Sequence, residues 1–268
     1  MDFIGKYTQK PFPRNREMVI DVVELGLLKH HAKGFIDIDV TLAREYIRKY
    51  EVKTGNKISF TGWIVKCIGQ AVSENKQVHA FRKGKKKLII FDDVDILVTV
   101  EKLINEEKIP LPYIVRKANE KNVIEISNEI RAAQKLETTK NDMIIGKSDT
   151  FLRLYQSLPK FIRKIIGRMI MKDPFYVKKN VGSVGISSIG MMGNFSGWIM
   201  PISPQPLFFA LGGITKKAGV VGDKIEIREY LSMSFLFDHD IVDGAPMAKF
   251  IERLIDLIEN AFELAPFI

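Results

Sequence analysis

The order of apolar and polar residues predicts a long strand followed by a helix near the C-terminus. From Ile225 to His239 the odd positions are mostly Ile, Leu, Met and Phe, whereas the even positions are mainly polar. This period-two alternation is typical of a half-buried strand. Apolar residues then recur at helical spacing from Met247 to Ala261. A strand, a short turn and a helix are therefore expected between Ile225 and Ala261.

The rest of the chain alternates between the same two periodicities. Helices are predicted over residues 17–30, 41–50, 61–75 and 120–136. Strands are predicted over residues 34–40, 88–91, 94–100, 111–115, 181–188 and 207–214, of which the second and third are hinged at Asp92 and Asp93. No repeat and no linker rich in Pro, Gly or Ser divides the sequence. We expect one mixed α/β domain over residues 1–268, an α+β two-layer sandwich whose mainly antiparallel sheet is covered by helices, with an insertion at about residues 140–180.

Composition favours a folded protein of a reducing compartment. Residues of the hydrophobic class make up 46% of the chain, enough for a substantial core. The one cysteine, Cys67, excludes an intrachain disulfide and fits an apolar helix face. Residues 1–13 lack the apolar stretch of a signal peptide, and no apolar run is long enough to span a membrane. We therefore expect a soluble, cytoplasmic protein.

The positive charge is concentrated in two segments. The formal net charge is +9, and residues 151–180 contain eight Lys or Arg against one Asp, a net +7. A second basic run, Arg82–Lys87, precedes a predicted strand. No nucleic-acid recognition motif accompanies either segment, so nucleic acid is not an expected partner.

His239 is the main candidate for chemistry. It lies at the predicted strand end, on the same face as Phe235 and Phe237. Partial desolvation there favours a neutral imidazole, which suits a general base near neutral pH. Asp243 follows in the turn, near the start of a helix, where a carboxylate is favoured. Its side chain can hold the backbone of the turn or an imidazole in place. The alternatives are a satisfied core histidine and a simple helix cap.

Five segments, in order, resemble the catalytic domain of the acyltransferase component of 2-oxo-acid dehydrogenase complexes, and more distantly chloramphenicol acetyltransferase. Asp238–Ala245 is similar to the family's Asp-His-Arg-x-x-Asp-Gly-Ala, and Ile186–Gly193 to its Ile-Ser-Asn-Leu-Gly-Met-Phe-Gly. Residues 204–214, 58–66 and 109–116 match three further family segments. The resemblance runs from about residue 34 to the C-terminus with one gap.

The resemblance implies acyl transfer between a coenzyme A thioester and a thiol or another small acceptor. His239 would be the general base, Ser187 would donate a hydrogen bond to the tetrahedral oxyanion, and Asp243 would hold the loop and the imidazole. Taken alone, Ser187 could equally be a strand hydroxyl that caps the glycine-rich turn. Ser188, Phe237 and Gly244 are further expected to contact the substrate or coenzyme A. It implies no metal.

The resemblance also implies an assembly. In the family the active site lies between the subunits of a homotrimer, with the histidine and the serine on opposite sides of the interface. The apolar C-terminus, Leu264–Ile268, resembles the family's end and leaves a larger shell possible.

Three departures separate the chain from the family pattern. Only about thirty residues precede Gly34, too few for a lipoyl or subunit-binding domain, so we expect a stand-alone member without a covalently bound lipoyl group. Asp240 stands where the family has Arg, which reverses the charge beside His239 and is expected to raise the pKa of its imidazole or to alter an ion pair. Residues of about 141–180 replace a short loop.

Within that insertion, residues 161–171 predict a basic amphipathic helix. Its apolar face could pack on its own domain or on a trimer neighbour, form the mouth of a substrate channel, or, for residues 151–171, rest on a membrane surface. A core acyltransferase subunit of a dehydrogenase complex and a non-catalytic trimeric scaffold remain the alternatives to a stand-alone acyltransferase.

Overall fold

The computed structural model describes residues 4–104, 107–135, 154–155, 157–190 and 196–267. The helices are α1 (Arg14–Gly26), α2 (Thr41–Thr54), α3 (Phe60–Glu74), α4 (Val123–Lys135), α5 (Lys160–Met171), α6 (Pro174–Val181) and α7 (Gly244–Glu259). The strands are β1 (His31–Asp39), β2 (Phe81–Lys83), β3 (Lys87–Ile89), β4 (Ile96–Ile104), β5 (Glu107–Val115), β6 (Val184–Ser188), β7 (Leu207–Val221) and β8 (Lys224–Asp238). In the described part of the chain, no helix is long and apolar enough to cross a membrane.

Six strands form the main sheet, in the order β1-β8-β7-β6-β4-β5. Strand β6 runs parallel to both of its neighbours, and the other pairings are antiparallel. Alternate side chains of β8, such as Met233 and Phe237, join the hydrophobic core on the side of α3 and α7. The largest fully buried side chains there are Trp63, Phe209 and Phe250. The expected mixed fold with a mainly antiparallel sheet is confirmed.

The β7–β8 hairpin has a buried half and a projecting half. Strand β1 pairs with Tyr230–Asp238 and β6 pairs with Leu207–Leu211, so the remaining hairpin residues pair only with each other. Ile225 and Ile227 are consequently 79% and 76% exposed. The sequence-based expectation of a half-buried strand over the whole stretch was therefore wrong for its first half, because alternation reports which residues share a face and not what covers that face.

Two other strand predictions were also wrong in part. Strands β3 and β4 do not form one hinged unit: β3 pairs with β2 in a separate two-stranded sheet, while β4 joins the main sheet. The predicted strand 181–188 begins only at Val184, because residues 174–181 form α6. The first turn of α6 is capped by Asp173, whose side chain accepts a hydrogen bond from the Phe175 N–H.

The basic helix of the predicted insertion exists as α5, and it packs against α1 through charged groups. The Arg163 guanidinium is buried and lies 2.9 Å from Asp21 and 2.7 Å from Glu17 on α1. Gly167 lets the Leu25 side chain approach the helix backbone closely. We expected the apolar face of this helix to be its packed face. Part of that apolar face is instead exposed, since Phe161, Ile165 and Met169 are 64%, 55% and 67% exposed.

Candidate active site

His239 lies just beyond the last residue of β8. Its N–H donates a hydrogen bond to the His30 carbonyl at 3.0 Å, so the backbone pairing of β8 with the start of β1 extends one step past the strand. The imidazole packs against the Phe237 ring, with 5.7 Å between the ring centroids. These two contacts fix the position and tilt of a side chain that remains 51% exposed. The predicted face is correct, but the imidazole is more solvated within one chain than expected.

Asp243 occupies the residue before the first turn of α7. Its extended backbone conformation is that of an N-cap, yet its side chain accepts no hydrogen bond from the helix N–H groups in the described structure. The carboxylate is 89% exposed, and its Oδ1 lies 4.0 Å from His239 Nδ1. This separation is an ion-pair distance and is too long for a hydrogen bond. The carboxylate is therefore placed to attract a protonated imidazole rather than to hold a neutral one.

The flanking aspartates make contacts with other residues. Asp238 is buried and forms an ion pair with Lys29 at 2.7 Å. Asp240 Oδ1 lies 3.0 Å from His30 Nδ1, and this hydrogen bond lowers the pKa of the Asp240 carboxyl below its ordinary value. Asp240 therefore pairs with His30 and makes no direct contact with His239 among the described residues.

Ser187 lies far from His239 within one chain. It pairs with Ala210 of β7, which in turn pairs with Ser234 of β8. At about 4.8 Å per strand and about 3.3 Å per residue, Ser187 is roughly 20 Å from His239. Its neighbour Ile186 points into the core that also receives Phe237, so Ser187 points to the other face of the sheet. The hydroxyl therefore cannot serve the same reaction centre as His239 of the same chain.

The turn that follows Ser187 is tied down by backbone groups. The N–H groups of Ile189 and Gly190 both donate to the Leu211 carbonyl. A side chain at position 190 would meet the Gly212 carbonyl oxygen at 1.9 Å, so only glycine fits this approach. The predicted glycine-rich turn includes residues 191–193, which lie outside the described residues, so a capping role of the Ser187 hydroxyl stays a prediction. Ser188 ends β6 beside Leu211 and lies with Ser187, apart from His239.

An apolar groove begins beside His239 and runs between the sheet edge and α7. It is an open groove with a volume of about 570 Å³. We call it the apolar groove and define it by the residues that line it: Phe235, Phe237, Met247, Ala248, Ile251 and Ile255. Gly244, the first residue of α7, borders it at the His239 end. Phe237 and Gly244, both predicted as substrate contacts, therefore lie together with His239 and Asp243.

Apart from Phe237 and Gly244, the residues that line this groove were not recognised in the sequence as a binding surface. The helical spacing of Met247 and Ile251 had indicated a core-facing helix, and that inference is correct because both are buried. What periodicity could not show is that α7 stops short of covering Phe235 and the edge strand. The one available signal was Gly34, whose missing side chain leaves room for the Phe235 ring: a Cβ there would meet Phe235 Cζ at 2.2 Å.

A second histidine cluster lies inside the protein. His79 is fully buried; its Nδ1 is 2.8 Å from the Ser183 hydroxyl and its Nε2 is 3.1 Å from the Phe91 carbonyl. The carbonyl can only accept, so Nε2 carries the proton and Ser183 donates to Nδ1. Burial lowers the pKa of His79 to about 4. The backbone carbonyl of Asp95 also lies near the Ser183 hydroxyl, at 3.4 Å.

No metal-binding group stands out in the described part of the chain. None of its His, Cys, Asp and Glu side chains gather in groups of three or more that could hold a metal ion. Cys67 is buried, and burial raises the pKa of its thiol well above the ordinary value. This agrees with the core role expected for it.

Comparison of the sequence with protein families finds one matching family. The family described as 2-oxoacid dehydrogenases acyltransferase (catalytic domain) matches residues 8–143 and 179–265. Residues 144–178, within which α5 lies, are outside the match.

Curated relatives extend well beyond the length of this chain. The dihydrolipoyllysine-residue acetyltransferase component of the pyruvate dehydrogenase complex of Rickettsia conorii is 27% identical over 220 residues, which are 81% of this chain and 44% of that protein. The chain thus spans less than half the length of this relative.

Two solved structures share the fold. Dihydrolipoamide acetyltransferase of Azotobacter vinelandii, studied for the role of a serine, a histidine and an asparagine in its catalytic mechanism, superposes with a TM-score of 0.70 at 17% identity, covering 99% of this chain and 97% of that one. The cubic core of the pyruvate dehydrogenase multienzyme complex gives a TM-score of 0.70 at 18% identity, with the same coverage of 99% and 97%. At these identities the likeness establishes the fold.

Proposed function

Because the chain belongs to the 2-oxoacid dehydrogenase acyltransferase family (catalytic domain), we propose that it transfers an acyl group between the thiol of coenzyme A and a thiol or other small acceptor. The observation that carries this proposal is the placement of His239. Its imidazole is held by the Phe237 ring, is open to solvent and faces a carboxylate at 4.0 Å. A general base needs this combination of fixed position and access.

In the proposed reaction, one proton moves from the attacking thiol to His239 and from there to the leaving thiolate. The neutral imidazole of His239 removes the proton from the attacking thiol, and the thiolate adds to the thioester carbonyl carbon. The tetrahedral intermediate carries an oxyanion and then expels the leaving thiolate. That thiolate takes the proton back from the imidazolium, so the base is regenerated. Asp243 stabilises the imidazolium that exists between the two proton transfers.

Ser187 completes the site from a second subunit in this proposal. Within one chain its hydroxyl is roughly 20 Å from His239, on the other face of the sheet, as strand spacing and rise require. In a homotrimer, a neighbouring copy can present Ser187 to the oxyanion formed at His239. The fold shared with a cubic multienzyme core supports assembly from such subunits.

The spacing of the three residues supports these roles. In the Azotobacter vinelandii enzyme the serine precedes the histidine by 52 residues, and the asparagine follows the histidine by 4. Ser187, His239 and Asp243 have the same separations. Asparagine and aspartate are similar in size, so Asp243 can occupy the same place while adding a negative charge.

Release of free coenzyme A tests the proposed activity. The purified full-length chain is mixed with an acyl-CoA series from acetyl-CoA to decanoyl-CoA and with thiol, hydroxyl or amine acceptors, and the new thiol is measured with a colorimetric reagent. Acceptor-dependent release with at least one donor is expected. Absence of both turnover and coenzyme A binding across the series would favour the non-catalytic scaffold instead.

A mixing experiment tests the shared site. Ser187→Ala and His239→Ala chains are each expected to be nearly inactive. When they are co-expressed in equal amounts and assemble at random, about a quarter of all subunit interfaces bring together an intact His239 and an intact Ser187. Activity should therefore return to about a quarter of the unmutated level. No recovery in assemblies shown to contain both chains would contradict a site between subunits.

A second candidate is the core acyltransferase subunit of a dehydrogenase complex. The Rickettsia conorii relative is the acetyltransferase component of a pyruvate dehydrogenase complex, which favours this role. Acyl transfer to free dihydrolipoamide with kcat/KM well above that for simple thiols would support this role. Equal rates with all thiols would support a stand-alone enzyme.

A further inference from the structure

The apolar groove is continuous with the reaction centre. On the sheet side, the rings of Phe235, Phe237 and His239 follow one another along one face of β8 and its extension, with centroid separations of 6.5 and 5.7 Å. On the helix side, α7 starts at Gly244 near His239 and runs back along the same rings. Among the described residues, an apolar path therefore leads away from a group bound at His239.

The lining of the groove selects the chemistry of its occupant. Apart from Lys33 and Glu252, the lining residues carry only hydrocarbon, aromatic, thioether or glycine groups. The pantetheine arm of coenzyme A contains two amides, and burying an amide without a hydrogen-bond partner costs about 1–3 kcal/mol or more. An aliphatic acyl chain has no such groups, and each of its methylenes gains from burial.

The dimensions of the groove indicate the length of that chain. Helix α7 advances about 16 Å from Gly244 to Ile255 at about 1.5 Å per residue, which is enough for an extended chain of about eight to twelve carbons. Gly244 does not narrow the entrance, since no atom lies within 4 Å of where its Cβ would be. The Phe235 ring lies flat across Gly34 and forms the floor further along.

Resting on the acyl transfer proposed above, we propose that the apolar groove holds the acyl chain of the substrate and that this protein uses medium-chain acyl thioesters. The thioester carbonyl lies at His239, the first carbons contact Phe237 and Met247, and the chain end reaches the side chains of Ile251 and Ile255. Ala248 is the residue whose small size keeps the middle of the groove open.

A chain-length series tests this assignment. Each methylene buried in the groove contributes about 0.8 kcal/mol, so kcat/KM should rise about threefold to fourfold per carbon and level off once the groove is full, near ten carbons. Dissociation constants of acetyl-CoA and decanoyl-CoA, measured by calorimetry on the same protein, should follow the same trend. A flat or falling series would overturn the assignment while leaving acyl transfer itself intact.

Two matched variants locate the effect. Ala248→Trp fills the groove and is expected to reduce the ratio of decanoyl to acetyl kcat/KM at least tenfold. Lys249→Trp adds the same side chain to an exposed position next along α7 that is not part of the lining, and should leave the ratio unchanged. Light scattering checks that both variants keep the oligomeric state of the parent protein.

The outcomes separate the two proposals. If the ratio is equal in Ala248→Trp and the parent protein, the chain does not lie in the groove. If Ala248→Trp alone loses its oligomeric state, the groove is a subunit contact and the assignment is overturned. If decanoyl-CoA binds tightly and this binding is lost in Ala248→Trp but no acyl-CoA is turned over, the groove assignment stands and the proposed catalysis fails.

Discussion

The two histidine clusters of this protein differ in solvent access more than in chemistry. His79 has a partner on each ring nitrogen, the Ser183 hydroxyl at 2.8 Å and the Phe91 carbonyl at 3.1 Å, and no exposed surface. Among the described residues, the one polar side chain paired with the His239 ring is the distant Asp243 carboxylate, at 4.0 Å, and half of the His239 side chain meets solvent. By hydrogen bonding alone, the Ser183–His79 pair looks more like an activated nucleophile.

Well-formed hydrogen bonds between a serine and a histidine are thus found in structural clusters as well as in catalytic ones, so they do not by themselves identify an active site. The buried pair cannot meet a substrate, and its hydrogen bonds offset the cost of placing polar groups in the core. The imidazole at the end of β8 contributes little to folding but can exchange protons with a bound molecule. The two clusters should therefore respond in opposite ways to substitution.

Replacing His239 should give the largest effect on turnover. His239→Ala removes the proposed general base and is expected to lower kcat by about 10²–10⁴-fold. Because the side chain is exposed, the free energy of unfolding should change by no more than about 0.5 kcal/mol. His30→Ala, which removes another exposed histidine nearby, serves as the control and should retain activity. A fully active His239→Ala protein would contradict the proposed mechanism.

Replacing Ser187 should have the next largest effect. Ser187→Ala removes one proposed oxyanion donor, which is commonly worth about 10²–10³ in kcat. The KM for acyl-CoA should change little, since the oxyanion forms only after binding. A loss confined to KM would instead assign Ser187 to substrate binding.

The buried cluster should make stability depend on pH. His79 has a folded-state pKa of about 4, whereas the unfolded chain titrates near 6.5, so the unfolded state binds more protons between these values. The free energy of unfolding should therefore fall as pH is lowered from 6.5 to 4, by up to about 3 kcal/mol. Urea melts of the parent and His79→Gln across this range provide the measurement. An equal slope in both would contradict the assignment to His79.

Replacing Ser183 should have the smallest effect and should leave chemistry alone. Ser183→Ala removes the donor to His79 Nδ1 and leaves that nitrogen buried without a partner, at a cost of about 1–3 kcal/mol of unfolding free energy. Turnover per folded molecule should stay at the parent level. If Ser183→Ala lost kcat but not stability, Ser183 would take part in the reaction and the His79 cluster would be catalytic rather than structural.

Sequence patterns predicted the fold and one half of the site. Alternation placed His239 on the face of Phe237, and helical spacing located α7, because both signals depend on local burial. The same patterns could not show that Ser187 lies on the other face of the sheet, since that depends on the order β8-β7-β6 in space. They also missed Arg163, buried against α1, because a charged residue becomes buried only when distant carboxylates are brought to it.

The projecting half of the β7–β8 hairpin affects how readily a single chain is cut by proteases. Among the described residues, 224–228 pair through their backbone with β7 alone, and one face of this ribbon exposes Val220, Ile225 and Ile227. An isolated two-stranded ribbon is only marginally stable in water, so it opens more often than the rest of the sheet. Proteases cut such openings first. A surface that covered the ribbon would therefore also protect the chain from proteolysis.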